Sequence, residues 1–349
     1  MEDNAFRIEH VNLRRERELA EIRRFVERFG LAFDADADFT AAVRDREGRL
    51  VGTGSAQGEV LRNIAVDESL QGSGLTATIL SALMQDMARR GILHFFIFTL
   101  PAKAFLFGNL GFAEIARAAP YAVLLESGIG SVASYCEDIA KEAVRLPARR
   151  AALVINANPF TKGHRALIEK AAKECPGVLV FVVSEDRSLF PLADRLRLIR
   201  EGVADLPNVV VTESGRYMVS AATFPGYFTR EQDRVKAQTR LDVALFARQI
   251  APRLGITDRY AGEEPYCPVT AEYNEAMREI LPDTGIAVHI VPRVAVDGEI
   301  VSASRARELI RADKRQELEK LLPPATLAYL RDDGNKAVLD RIRSSTSRH

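Results

Sequence analysis

Residues 152–172 read ALVINANPFTKGHRALIEKAA, and the fold of the whole chain turns on how that stretch is parsed. The apolar run from Ala152 to Ile155 has the length of a short buried strand. Small residues and a proline follow, and then Leu167, Ile168, Ala171 and Ala172 recur at helical spacing. The reading is strand, turn, helix. Thr161 and His164 fall at the turn and the first helical residues, where free backbone N–H groups and the positive end of the helix dipole favour an anion such as a phosphate.

Working outward from this stretch, the rhythm repeats. Val178 to Val183 is followed by a helix at Leu192 to Val203, and Val209 to Val211 by an irregular stretch containing Phe224-Pro225-Gly226-Tyr227-Phe228. A helix at Leu241 to Ile250, a strand near Tyr260, a helix at Ala271 to Ile280 and a strand at Val288 to Val291 come later. Such alternation predicts an α/β fold, a parallel sheet with helices on both faces, whose ligands bind beyond the carboxyl ends of the strands. Thr161 to His164 falls on one such end and Val301 to Arg307 on another.

Before residue 150 the pattern is different. Leu19, Ile22, Phe25, Val26 and Phe29 mark an amphipathic helix, and three strands follow at Phe39 to Arg44, Leu50 to Ala56 and Val60 to Val66. Gln71-Gly72-Ser73-Gly74 then opens a helix that runs through Ile79, Leu83 and Met87. Glycines there let a ligand come close to consecutive N–H groups, which suits a pyrophosphate, although a tight turn would look the same. His94 to Leu100 reads as a buried strand, Ala104 to Asn109 as a short helix, and Tyr121 to Leu125 as a last strand. The expected boundaries are a first domain over 1–130, a helical linker over 131–149, a second domain over 150–335 and a polar tail over 336–349, expected to be disordered from Arg341 to His349.

Bulk properties narrow the partners. The 349 residues exceed one ordinary core. Lys plus Arg and Asp plus Glu both total 48, so no net field draws in nucleic acid or anionic lipid. Cys136, Cys175 and Cys267 are odd in number and lack CxxC spacing, which argues against a disulfide framework or a zinc site and suits a reducing cytoplasm. Cys267 is read as packing. His10, His94, His289 and His349 show no ligand spacing, so no protein metal site is expected. The opening residues are too charged for a signal peptide, and no apolar run approaches the roughly 18 residues of a membrane span, so a cytoplasmic protein without membrane contact is expected.

The first 127 or so residues resemble the GNAT acetyltransferase superfamily, in which the loop matched by Gln71, Gly72 and Gly74 holds the pyrophosphate of coenzyme A. Thr76 departs from the Gly or Ala usual there. Phe107 stands where many members carry a proton-donating Tyr, and it has no proton to give. In the second domain, Thr161-x-Gly163-His164 with Ser302-x-Ser304-x-x-Arg307 resembles the two signatures of the HxGH nucleotidyltransferase superfamily, which implies a Rossmann-like domain. His164, Thr161 and Arg307 are the expected catalytic groups. Asn158, Lys162, Gly163, Ser302 and Ser304 are the expected nucleotide contacts.

Asn158-Pro159-Phe160-Thr161-x-Gly163-His164, Phe190-Pro191-x-x-Asp194-Arg195, Thr223-Phe224-Pro225-x-Tyr227-Phe228, Gly262-x-Glu264-Pro265 and Ser302-Ala303-Ser304-x-x-Arg307 together resemble the citrate lyase ligase family over nearly the whole chain. That resemblance implies ATP- and acetate-dependent acetylation of the thiol on the citrate lyase acyl carrier subunit, whose prosthetic group derives from dephospho-coenzyme A, with release of AMP and pyrophosphate. Mg2+ is expected to accompany ATP, held by phosphates and water. The Gln71 to Leu75 loop, with Gln71, Gly72 and Gly74, is the expected dock for the coenzyme A-like arm. Three other readings stay open: a pantetheine-phosphate adenylyltransferase fused to a coenzyme A-binding domain, a GNAT acetyltransferase with a nucleotide-sensing half, and a scaffold without catalysis.

Overall fold

A seven-stranded sheet and a five-stranded sheet organise the two compact units of the computed structural model. The structure describes residues 6–33, 35–184, 188–218, 224, 227, 231–263 and 268–345. One unit comprises residues 1–131 with 221–241, and the other 132–220 with 242–349.

The first unit runs β1 (Arg7–His10), α1 (Glu16–Glu27), β2 (Phe39–Arg44), β3 (Leu50–Gln57), β4 (Val60–Val66), α2 (Leu75–Arg89), β5 (His94–Thr99), α3 (Ala104–Gly108), β6 (Ala113–Ala118) and β7 (Ala122–Gly128). Its strand order is β1-β2-β3-β4-β5-β7-β6, antiparallel except for β4 beside β5, which is the expected GNAT-like α+β arrangement. β1 and β6 escape the sequence reading for a physical reason. RIEH and AEIARA carry charges and alanines rather than the alternating β-branched residues that announce a strand.

β4 and β5 pair only at Val60 with Phe96 and Leu61 with Ile97, and β4 turns away at Asn63, whose φ is 53°. Phe96 donates its N–H to Glu59 on the β4 side, so Phe98, two residues on, faces the same edge, where no described strand pairs with it. Its carbonyl accepts the Tyr227 hydroxyl at 2.8 Å instead. Ala32 N–H donates to Tyr227 O at 2.8 Å, which ties the same residue to the loop after α1. Thus a residue from the stretch read as irregular is part of the first unit.

The second unit contains α4 (Val132–Glu142), β8 (Arg150–Ile155), α5 (Lys162–Glu174), β9 (Val178–Val182), α6 (Leu192–Gly202) and β10 (Val209–Glu213). After α7 (Glu231–Leu245) and a π-helical turn come α8 (Ala251–Leu254), β11 (Ile256–Gly262), α9 (Pro268–Ile280), β12 (Ala287–Val291), the ribbon β13 (Ala295–Val296) and β14 (Glu299–Ile300), and then α10 (Ala303–Arg311), α11 (Arg315–Leu321), α12 (Pro324–Arg331) and α13 (Lys336–Ser344). The sheet order is β10-β9-β8-β11-β12, all parallel. The chain steps outward from β8 to β10 and then returns to β11 on the other side. The order therefore reverses beside β8, and in such sheets the binding crevice lies beyond the carboxyl ends of the two strands at the reversal, here β8 and β11.

Two expectations change here. Residues 341–344, expected to be disordered, end a helix that starts at Lys336: Val338 and Ile342 are buried in the core of the second unit, a helical period hidden among Arg and Asp. The stretch 346–349 lies outside the described residues. Residues 132–142, expected as a linker, pack on the second unit, where Tyr135 donates its hydroxyl to Ser214 O at 2.8 Å. Together with Arg145, which donates to Val209 O at 2.7 Å, and Arg200, which donates to Val211 O at 3.2 Å, Tyr135 covers outward carbonyls of the edge strand β10. That blunts an edge open to pairing with another chain.

Candidate functional site

Between the end of β8 at Ile155 and the start of α5 at Lys162, three carbonyls on alternate residues each meet a buried donor. Arg195 Nη1 donates to Asn156 O at 3.0 Å, Arg307 Nη1 donates to Asn158 O, and Thr326 Oγ1 donates to Phe160 O at 2.9 Å. Arg195 and Thr326 are fully buried and Arg307 nearly so. Buried donors of this kind are costly to leave unpaired, so the loop is clamped from three directions. The clamp holds Ala157 at a φ of 52°, a left-handed conformation that costs a non-glycine residue about 1–2 kcal/mol.

The start of α5 is capped reciprocally. Thr161 Oγ1 accepts the His164 N–H at 3.4 Å, and His164 Nδ1 accepts the Thr161 N–H at 3.1 Å. A ring nitrogen that accepts a backbone N–H carries no proton, so the neutral imidazole holds its proton on Nε2. Burial, with the positive Arg293 guanidinium acting in the same direction, lowers the His164 pKa to about 4. At neutral pH His164 is therefore an uncharged donor with Nε2–H available. Thr161, expected to reach a phosphate, is 1% exposed, and its hydroxyl is engaged in the cap.

The second signature starts α10. Ser302 caps this helix by accepting the Arg305 N–H at 3.1 Å, and exposed Ser304 follows in the first turn with Oγ 3.5 Å from Arg307 Nη2. Gly163 explains how the two signatures meet, because a Cβ added there would lie 3.1 Å from Val301 O. A residue without a side chain lets the start of α5 come this close to the backbone before α10 without pushing Val301 O away. Two helix N-termini, with their free N–H groups and positive dipole ends, are brought side by side, which is an arrangement suited to a polyphosphate.

Other expected contacts are placed differently. Asn158 is 3% exposed, and its Oδ1 accepts the Phe190 N–H at 3.1 Å, so it holds the loop rather than facing the crevice. The Lys162 ammonium donates to Glu319 O at 2.7 Å, toward α11. Arg307 is a clamp on Asn158 O with one face left toward Ser304. Asp194 accepts the Tyr329 hydroxyl at 2.9 Å, which ties α6 to α12. Thr223, Pro225, Phe228, Glu264, Pro265 and Cys267 lie outside the described residues. Among the described residues, no group of three or more His, Cys, Asp or Glu could hold a metal ion.

In the first unit, Gln71, Gly72, Ser73 and Gly74 form an exposed turn before α2. Gly72 and Gly74 have φ of 84° and 87°, and a Cβ at either would meet no atom within 4 Å, so the space over this turn is open. Phe107 is buried in the apolar core beneath.

The sequence reading missed the roles of Asn156, Arg195 and Arg293. Asn156 ends the central strand, the position that the carboxyl-end rule points to, so a signal for it was present. Arg195 belongs to a motif that the sequence shows, but its role, like that of Arg293, lies in contacts with positions distant in sequence, which no linear pattern records.

Comparison with known proteins gives a consistent picture. The family model of the citrate lyase ligase C-terminal domain matches residues 150–330. A citrate (pro-3S)-lyase ligase of Klebsiella pneumoniae is 41% identical over 315 residues, covering 88% of this chain and 91% of the relative. The corresponding ligase of Escherichia coli K12 is 35% identical over 324 residues, covering 90% and 91%. A phosphopantetheine adenylyltransferase of Mannheimia succiniciproducens is 50% identical over 56 residues, 16% of this chain and 35% of that protein.

Proposed function

This chain belongs to the citrate lyase ligase family, and on that premise we propose that it acetylates the carrier thiol of citrate lyase through an acetyl adenylate made by its second unit. The chain is an enzyme, an acid-thiol ligase that uses ATP. Acetate is ionised at neutral pH, since carboxyl pKa values lie near 4, so it attacks without a general base. One carboxylate oxygen bonds to the α-phosphorus, the bond from that phosphorus to the bridging oxygen breaks, and pyrophosphate leaves. The carrier thiol then attacks the acetyl carbonyl, its proton passes to solvent, AMP departs and the thioester remains.

His164 donates Nε2–H to an α-phosphate oxygen and stabilises the charge that builds there, without proton transfer. Ser302, Ser304 and the N–H groups opening α10 receive the β and γ phosphates. Thr161 and Gly163 hold His164 and the two helix starts in place, and Arg307 keeps the loop at Asn158 and orients Ser304. The neutral His164 beside two converging helix N-termini is the observation that carries this reading. Mg2+ would travel with ATP on phosphates and water, because the described residues offer it no acidic cage.

With ATP, acetate and deacetylated carrier, AMP, pyrophosphate and thioester should form in equal amounts. His164→Ala should lower AMP formation by about 100- to 1000-fold while the protein stays folded. An unchanged rate would remove His164 from the site. The short similarity to a phosphopantetheine adenylyltransferase favours one rival, transfer of the adenylyl group to a pantetheine phosphate. A product that retains the adenylyl group would establish that rival.

The prosthetic group of the carrier, derived from dephospho-coenzyme A, docks its pyrophosphate on the exposed turn at Gln71, Gly72 and Gly74, where the two glycines at positive φ leave open space for a phosphate to approach the backbone. Ser73→Glu keeps both glycines and adds a repelling charge. It should raise the KM for the carrier and leave acetyl adenylate formation unchanged. An unaltered carrier KM would rule this dock out.

A further inference from the structure

Asn156 is exposed at the carboxyl end of β8, the central strand, where the strand order reverses. Its Oδ1 accepts Arg195 Nη1 at 2.9 Å and Ser188 Oγ at 3.0 Å. An arginine only donates, so the oxygen of the carboxamide must face it, and chemistry fixes which way the amide points. The Nδ2 group is thereby turned outward with two N–H donors, and it has no hydrogen-bond partner among the described residues.

The support beneath it is unusually strong for an exposed loop side chain. Fully buried Arg195 also donates to Asn156 O at 3.0 Å, to Val183 O at 2.7 Å and, through Nε, to Phe190 O at 3.0 Å. It thus ties together the ends of β8 and β9 and the approach to α6. Turning the carboxamide over would set its N–H donors against a buried guanidinium N–H and lose the contact at Oδ1. The result is a fixed pair of outward donors, neutral in charge, that the fold itself does not use.

The proposed reaction has an unassigned requirement that these donors meet. The phosphates have two helix starts and His164, but the attacking acid must also be held in line with the α-phosphorus. A carboxylate attacks with one oxygen and leaves the other to be gripped. A carboxamide N–H grips it without the full positive charge that would blunt the nucleophile. We propose that the Asn156 carboxamide, oriented by Arg195 and Ser188, seats the non-attacking carboxylate oxygen of the small acid substrate, an inference that rests on the adenylation reading above. Arg195 is then a positioning residue, and Asn156 touches substrate.

The test uses the full-length protein. Asn156→Asp keeps acceptors for Arg195 and Ser188 but turns a negatively charged acceptor toward the crevice. In acetate-dependent exchange of pyrophosphate into ATP, the KM for acetate should rise more than tenfold while the KM for ATP stays within twofold. Asn156→Ser, which is uncharged and too short to present outward donors, should move the acetate KM in the same direction. It serves as well should the Asp variant misfold. Saturation-transfer NMR of acetate with a non-hydrolysable ATP analogue bound reads the same contact without turnover, and the acetate signal should disappear in both variants. An unchanged acetate KM, or an ATP KM that rises in step with it, overturns the assignment. Failure of the wild-type protein to form acetyl adenylate at all would instead overturn the adenylation reading, so the two failures are distinguishable.

Discussion

His164 carries its proton on Nε2 because the Thr161 N–H occupies Nδ1, and it stays neutral because burial and Arg293 both oppose a positive charge. Its pKa of about 4 lies below the ordinary 6.5, so protonation favours the unfolded chain. The linked stability is complete above the unfolded value and is lost as the pH falls from about 6.5 toward 4. Imidazole 15N spectra should accordingly show the Nε2–H tautomer unchanged from neutral pH down to about 5, with titration only below that. A midpoint near 6.5 would contradict the neutral-donor role. The neighbouring asparagines show how far sequence reading reaches at this scale. It singled out Asn158, which is buried and holds the loop, and passed over Asn156, whose donors face the crevice. The two differ only in which side of a kinked loop they occupy, and the kink at Ala157 has no local sequence signal.

At the scale of elements, β8, α5 and α10 form because their own residues demand it: apolar β-formers in the strand, a reciprocal cap at Thr161 and a serine cap at Ser302. What aligns them comes from side chains on other helices, of which the sequence reading resolved α6 but not α12. α12 sends Thr326 to Phe160 O, and α6 sends Arg195 to Asn156 O. Thr326→Val keeps the shape and leaves that carbonyl without its buried donor. It should lower stability by about 1–3 kcal/mol in denaturant titration and raise the KM for ATP through a loosened loop. A variant as stable as the parent would show that Phe160 O finds water or another donor. The strand β10 follows the same logic, since Tyr135 and Arg145 lie outside the alternating pattern yet cover its open edge.

Across the whole molecule, family membership rests on similarity over nine-tenths of the chain rather than on one motif. No described helix is long and apolar enough to cross a membrane. The first unit is not a continuous stretch, because Phe224 and Tyr227 pack with it: the Phe224 ring meets Phe98 edge-on at 5.6 Å, and the Tyr227 hydroxyl closes on Phe98 O. Tyr227→Phe should therefore destabilise this unit by about 1–3 kcal/mol through an orphaned carbonyl. Hydrogen exchange should read the loss as faster opening at the Ala32 amide, which donates to the Tyr227 carbonyl. Unchanged protection there would mean that the Tyr227 hydroxyl contributes nothing to the fold.

The amino-acid sequence by itself determined the strand-turn-helix stretch, the pairing of Thr161-x-Gly163-His164 with Ser302-x-Ser304-x-x-Arg307, the glycine turn at Gly72 and Gly74, and the two fold types. All of these depend on local periodicity, caps and glycine placement, which a linear pattern records. The tertiary structure alone decided which nitrogen of His164 bears the proton, that Arg307 and Asn158 clamp a loop, that Asn156 faces outward, that residues 336–344 form a helix, and that Tyr227 belongs to the first unit. Each of those is settled by a buried hydrogen bond or an apolar contact between residues far apart in the chain. Such contacts form only because an unpaired polar group or an exposed apolar one is costly once the two segments are packed together.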